Sequence, residues 1–206
     1  MSERGRVFIV DDEEELRRAL ERLLRGEGYD VATFGSAEEF LQAIGPSTHG
    51  CCVLDVAMPG LDGLALQERL GATGASLAIV FLTGHGDIPM SVQAMKAGAV
   101  DFLTKPVKRQ DLVRALETGL AASREHRVNS EATAGFRARL QKLTPREHEV
   151  MLHVIAGKLN KLIAADLGTT EHTIKVHRGR MMEKLEVGSV AELVRVTRAL
   201  GIDPAA

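Results

Sequence analysis

Five short apolar runs, rich in β-branched and aromatic residues, limit what this chain can fold into more than any other feature. They lie at about 7–10, 29–34, 51–55, 78–83 and 100–104, and a helical pattern follows each. Strands alternating with helices read as βαβ units, and strands without polar alternation read as buried on both faces. Together they predict a parallel sheet covered by helices. Local signals agree: Ser36-x-x-Glu39 reads as a capping box, Asp62 and Asp87 as N-caps, and Pro89 suits a first helical turn. Such sheets place ligand sites beyond the C-terminal ends of their strands. Those positions hold Asp11 and Asp12 after Val7–Val10, Asp55 after Cys51–Leu54 and before Met58-Pro59-Gly60, Thr83 after Ala78–Leu82, and Lys105 after Asp101–Thr104. One pocket would then gather three carboxylates, a hydroxyl and an ammonium.

Clustered carboxylates repel one another unless a hard cation sits among them, so Mg2+ is the implied cofactor. Asp55 and Asp12 would hold it directly and Asp11 through water. Asp55 can then attack a phosphoryl phosphorus and become an acyl phosphate. Lys105 and the Thr83 hydroxyl would contact the phosphoryl oxygens. A lone acid at a strand end would mean little. Five fitting residues, at the ends of four strands, mean more.

On these residues, down to the Lys105-Pro106 pair, the stretch from 5 to about 125 resembles a bacterial response-regulator receiver domain. Leu82-Thr83-Gly84-His85-Gly86-Asp87-Ile88-Pro89-Met90, through Ala97-Gly98-Ala99, further resembles its FixJ subgroup. The resemblance implies a flavodoxin-like α/β domain with a five-stranded parallel sheet in the order 2-1-3-4-5. It implies Asp55 as phosphoacceptor, the Ala57 backbone carbonyl as a further metal ligand, and a sensor histidine kinase as donor. Phe102 takes the aromatic switch position, without a hydroxyl, and would turn into space vacated by Thr83. The subgroup's pairing surface implicates Val92, Met95, Lys96, Val100 and Asp101 in a homodimer formed on phosphorylation. Ala57 and His85 occupy the positions that border an attacking water in receivers, which predicts a phosphoryl group longer-lived than in chemotaxis-type signalling.

The chain has 206 residues, enough for two domains that each bury a core. Its net charge of −2 conceals an asymmetry. Residues 1–128 carry 14 basic and 19 acidic side chains, and residues 129–206 carry 12 and 9. The basic second half is the part suited to a polyanion. Adjacent Cys51 and Cys52 in a buried strand point to opposite faces, so they read as thiols of a reducing compartment. No apolar run reaches the roughly 20 residues of a membrane span, and a cytoplasmic location without membrane association is expected. The expected division is a receiver at 1–121, a partly helical linker at 122–138 whose pattern ends at Gly135, and a DNA-binding domain at 139–206.

In that last region Thr144-Pro145-Arg146-Glu147 reads as a capping box opening a helix that stops at Gly157. Asn160 and Thr170 are expected to cap two further helices separated by Gly168, and Ser189-x-x-Glu192 to open a fourth. Two short helices joined at a glycine make a helix-turn-helix. At 100° per residue, Ile174, Met181 and Leu185 of the third helix turn inward. His172, Lys175, Val176 and Gly179 turn outward, with Thr173 and Arg180 at the margins.

Lys175 can reach guanine edges or a phosphate and Val176 a thymine methyl, while Lys158, Lys161, Arg178 and Arg180 are candidates for the backbone. The runs Gly157–Ala164 and His172–Arg178, with Lys184-Leu185, resemble the LuxR/NarL-type DNA-binding domain, an all-α four-helix unit. That resemblance adds Thr170 to the contact set and leaves sequence preference open, since Gly179 replaces the long side chain of some members. His153 and His177 read as packed residues rather than metal ligands. The expected protein is a cytoplasmic regulator, not an enzyme beyond its own phosphoryl transfer and slow autodephosphorylation. An aspartate-nucleophile phosphatase would need an acid where Ala57 stands. A phosphorylation-independent DNA-binding module would not need the intact pocket.

Overall fold

A computed structural model describes residues 4–71, 73–84 and 88–205. His85 and the proposed cap Asp87 lie outside the described residues. The chain divides into two compact units, one up to Val128 and one from Asn129.

The first unit runs β1 (Arg6–Val10), α1 (Glu14–Gly26), β2 (Asp30–Phe34), α2 (Ala37–Ala43), β3 (His49–Asp55), α3 (Gly63–Gly71), β4 (Ser76–Thr83), α4 (Ile88–Lys96), β5 (Asp101–Thr104) and the start of α5 (Arg109–Leu140). The strands form one parallel sheet in the order β2-β1-β3-β4-β5. In its centre Val7 is in register with Cys51 and Cys51 with Ala78. Strand pleating sends alternate side chains to two cores. Val7, Ile9, Cys51 and Val53 pack with Leu20, Leu24, Leu112 and Leu116 of α1 and α5. Phe8, Val10, Cys52 and Leu54 pack with Phe40, Leu66 and Ala94 of α2, α3 and α4. The two cysteines are free and lie in opposite cores.

In this unit the caps at Ser36 and Asp62 hold, the first with a refinement. Ser36 accepts from Glu39 N–H, but Glu39 reaches back to Gly35 N–H rather than to Ser36, so the box is offset by one residue. Asp62 Oδ1 accepts from Ala65 N–H at 2.8 Å at the start of α3.

α5 does not stop at Gly135 but continues to Leu140. Its polar middle conceals two buried anchors. Ser123 is 4 % exposed; its hydroxyl donates to Ser76 O and accepts from Gly50 N–H. Phe136, on the other side of the unit boundary, is 1 % exposed in the second core.

The second unit continues with α6 (Pro145–Ile155), α7 (Asn160–Asp166), α8 (Glu171–Leu185) and α9 (Val190–Ala199). Phe136, Val150, Met151, Val154, Ile163, Ile174, Met181, Leu185 and Leu193 form its core. Thr144 and Glu147 make the full reciprocal capping box, and Thr170 and Ser189 cap α8 and α9. Asn160 is not a cap. It is the first residue of α7, after an N-cap Leu159 that makes no side-chain bond, and its amide oxygen accepts from Arg178 at 2.9 Å. No helix among the described residues is long and apolar enough to cross a membrane.

Candidate functional site

The carboxylates arrive from two adjacent strands. β1 ends at Val10, and the turn after it is fixed by Asp11, whose Oδ1 accepts from Glu13 N–H at 2.8 Å and whose carbonyl accepts from Arg17 at 2.6 Å. β3 delivers Asp55, whose Oδ1 accepts from Ala57 N–H at 3.3 Å. Asp11 and Asp55 are 2 % and 6 % exposed, while Asp12 faces solvent. Single oxygens of Asp11, Asp12 and Asp55 lie within 4.8 Å of one another.

Lys105 closes the pocket from β5. Its Nζ donates to Asp11 Oδ2 at 2.7 Å and to Asp55 Oδ2 at 2.8 Å. Its backbone N–H bonds to Thr83 O at 2.7 Å, which ties the end of β5 to that of β4, and the Lys105-Pro106 peptide is cis. Partial burial disfavours the ammonium. Hydrogen bonds and charge from Asp11 and Asp55 more than offset this and raise the Lys105 pKa above its ordinary value, so it is cationic near neutrality. Thr83 is 1 % exposed at the end of β4.

The donor set fits a hard divalent cation. All three candidate side-chain ligands offer carboxylate oxygen, and three formal negative charges against one ammonium leave a deficit of two positive charges.

A residue that sequence reading passed over also shapes this pocket. Gly63 opens α3 with its backbone pressed on the end of β3. A Cβ there would lie 2.2 Å from Asp55 O, and its N–H donates to Val56 O at 3.0 Å. The glycine that follows Asp62, after the Met58-Pro59 turn, is the signal the sequence offers for it.

Around the pocket, Phe102 is partly buried, with its ring 5.9 Å from that of Phe81. Val92 and Met95 are 45 % and 46 % exposed on α4. Lys96 is exposed beside them, and Val100 and Asp101 are partly covered at the start of β5.

In the second unit α8 has the orientation its periodicity predicts. Ile174, Met181 and Leu185 are buried; His172, Lys175, Val176, Gly179 and Arg180 face solvent, and Thr173 is partly exposed. Thr170 caps the helix and its hydroxyl also bonds that of Thr173. Lys161 is exposed, whereas Lys158 pairs with Asp166 at 3.0 Å and Arg178 is held by Asn160. These two cations therefore serve contacts within the unit. Glu147, 3 % exposed, receives Lys184 at 2.6 Å. Burial alone would raise its carboxyl, but Lys184 and the Thr144 donors hold it below the ordinary value.

Comparison with known proteins places both units. Residues 7–117 match the family described as response regulator receiver domain, and residues 141–197 match bacterial regulatory proteins of the luxR family. The chain is 44 % identical over 196 residues to nodulation protein W of Bradyrhizobium diazoefficiens, covering 95 % of this chain and 86 % of that protein. It is 41 % identical over 203 residues to the transcriptional regulatory protein FixJ of the same organism, covering 98 % of each. Among solved structures it is similar to the response regulator StyR, with a TM-score of 0.78 and 46 % identity over 95 % of this chain and 98 % of that one.

Proposed function

This chain belongs to the FixJ-like response regulators, receiver domains followed by a luxR-type DNA-binding domain, and on that premise we propose that Asp55 is its phosphoacceptor and that phosphorylation there switches transcription. As a family member it is a transcription regulator of the two-component type. The reading of the site rests on one observation above all: Asp55 is buried beside two further carboxylates and hydrogen-bonded by a lysine from the far strand.

Each residue has a defined task. Asp55 supplies the attacking carboxylate oxygen, and the Ala57 N–H on its Oδ1 orients it. Asp11, Asp12 and Asp55, with the Ala57 carbonyl, would hold Mg2+, which supplies charge neutralisation for the incoming phosphoryl group when bound. Lys105 exchanges a carboxylate partner for a phosphoryl oxygen, and the Thr83 hydroxyl donates to another. In the transfer the Asp55 carboxylate gains a phosphorus–oxygen bond, while the donor's own phosphorus–nitrogen bond breaks and its nitrogen keeps the bonding pair. A sensor histidine kinase, whose phosphohistidine releases imidazole as a good leaving group, fits as donor.

Thr83 drawn inward leaves room for Phe102 to turn toward Phe81. The exposed α4 face with Val92, Met95, Lys96, Val100 and Asp101 then pairs with a second copy. Two copies would present two α8 helices to a repeated promoter site, with Lys175, Val176, Gly179, His172 and Thr173 toward bases and Lys161, Arg180 and Thr170 toward phosphates. A protein acting on promoters in this way works in the cytoplasm.

The test is mass spectrometry after incubation with acetyl phosphate. One phosphoryl mass should appear with Mg2+, and none with a chelator or in Asp55→Asn. Unchanged labelling of Asp55→Asn would refute the assignment.

A further inference from the structure

α3 connects the nucleophile to the exposed face of α4, through two residues on one side of the helix. Gly63 packs its backbone on Asp55 and Val56, as described above. Four residues on, and so on the same helix face, Gln67 is 6 % exposed and donates Nε2 to Ala94 O and to Ala97 O, each at 3.2 Å. Those carbonyls lie at the C-terminal end of α4, where a helix leaves acceptors without intrahelical donors. Ala94 O also accepts from Ala99 N–H at 3.1 Å.

Two observations say that this amide does more than fill space. First, its Oε1 is buried without a hydrogen-bond partner. An aliphatic side chain of similar length would avoid that penalty, so packing does not account for a glutamine here and its two donated bonds do. Second, the C-terminal half of α4 is lightly anchored: from Val92 to Lys96 Ala94 alone is buried, while Val92, Gln93, Met95 and Lys96 are exposed and Met90 packs on the core from the turn before. A last turn with one small buried side chain depends strongly on any directional bond at its end.

We infer that Gln67 is a positioning residue for the response: it fixes the C-terminal end of α4 to α3, and through Gly63 couples the set of the α4 face to the backbone of Asp55. This rests on the proposed pairing through α4. It supplies a link from pocket to output face distinct from the Thr83–Phe102 route. The lever is short, running from Asp55 to Gly63, then one turn of α3 to Gln67, then to the last turn of α4.

The test compares wild type, Gln67→Met, which keeps length but removes both donors, and Met95→Glu, which alters the exposed face alone. In the full-length chain with Mg2+ and beryllofluoride, a phosphoryl mimic, Gln67→Met should weaken dimerisation about tenfold in sedimentation analysis. Amide exchange at Gly98 and Ala99 should quicken, while the rate of labelling by acetyl phosphate stays at the wild-type value. Unchanged dimerisation with unchanged exchange, or labelling that falls in step with dimerisation, would overturn the inference. If Met95→Glu dimerises normally, the pairing surface is elsewhere. Exchange at Gly98 and Ala99 then decides alone, with wild-type rates in Gln67→Met counting against the anchor. Should Gln67→Met fail to unfold cooperatively, Gln67→Glu replaces it, since it keeps the shape and exchanges the donor nitrogen for oxygen. Loss of folding in both would make the role structural and overturn the inference.

Discussion

Without the Lys105 ammonium, Asp11 and Asp55 would face each other at close range with little water to separate them. Lys105→Met should therefore destabilise the metal-free chain by up to about 3 kcal/mol, the low end for removing one partner of a buried pair. The side chain is 18 % exposed, which argues against the high end. Added Mg2+ should recover much of the loss, because the cation answers the same charge. Thermal unfolding with and without Mg2+ measures both, and a variant as stable as wild type without metal would contradict this electrostatic account. The pocket residues were legible in the sequence because they stand at strand ends and differ sharply from the apolar runs before them. Gly63 and Gln67 were not, because a close approach to Asp55 and bonds to Ala94 and Ala97 exist only once the chain is folded.

At the scale of elements, strand order and helix starts follow from local chemistry, and so the caps at Ser36, Thr144, Thr170 and Ser189 could be read directly. Asn160 looked like another, but Arg178, eighteen residues away, takes its side-chain oxygen. Likewise, the polar composition of 123–134 gave no hint that Ser123 bonds β3 and β4, partners 73 and 47 residues distant. Two predictions belong here. Gly63→Ala drives a methyl into Asp55 O, so α3 must shift. About 1–3 kcal/mol of stability should be lost, as for overpacked sites, and labelling of Asp55 by acetyl phosphate should slow. Wild-type labelling with wild-type stability would show that α3 yields freely.

The start of α6 should be acid-sensitive. Glu147 has its carboxyl held below the ordinary 4.5, so the stabilisation it gives is present above that pH and lost as pH falls through the folded value. Amide exchange at Val150 and Val154, in the helix this carboxylate caps, taken relative to the unfolded-chain rate at each pH, should quicken on acidification below 4.5 in wild type. It should be faster but flatter with pH in Glu147→Gln, and identical profiles would refute the assignment.

For the whole molecule, charge divides the work. The unit that carries the acidic pocket has 19 acidic against 14 basic side chains over residues 1–128, and the unit that carries α8 has 9 against 12 over 129–206. A phosphoryl group on Asp55 can influence DNA binding only through a change in assembly or in the exposure of the second unit, because the two sites are on different compact units. The proposed change is pairing through α4. Its most direct test is the solution mass of the full chain by light scattering, with and without Mg2+ and beryllofluoride, beside Asp55→Ala. The account predicts a monomer that becomes a dimer in wild type only when metal and mimic are both present. A wild-type chain that binds both and keeps its mass, or an Asp55→Ala chain that dimerises equally, would contradict it.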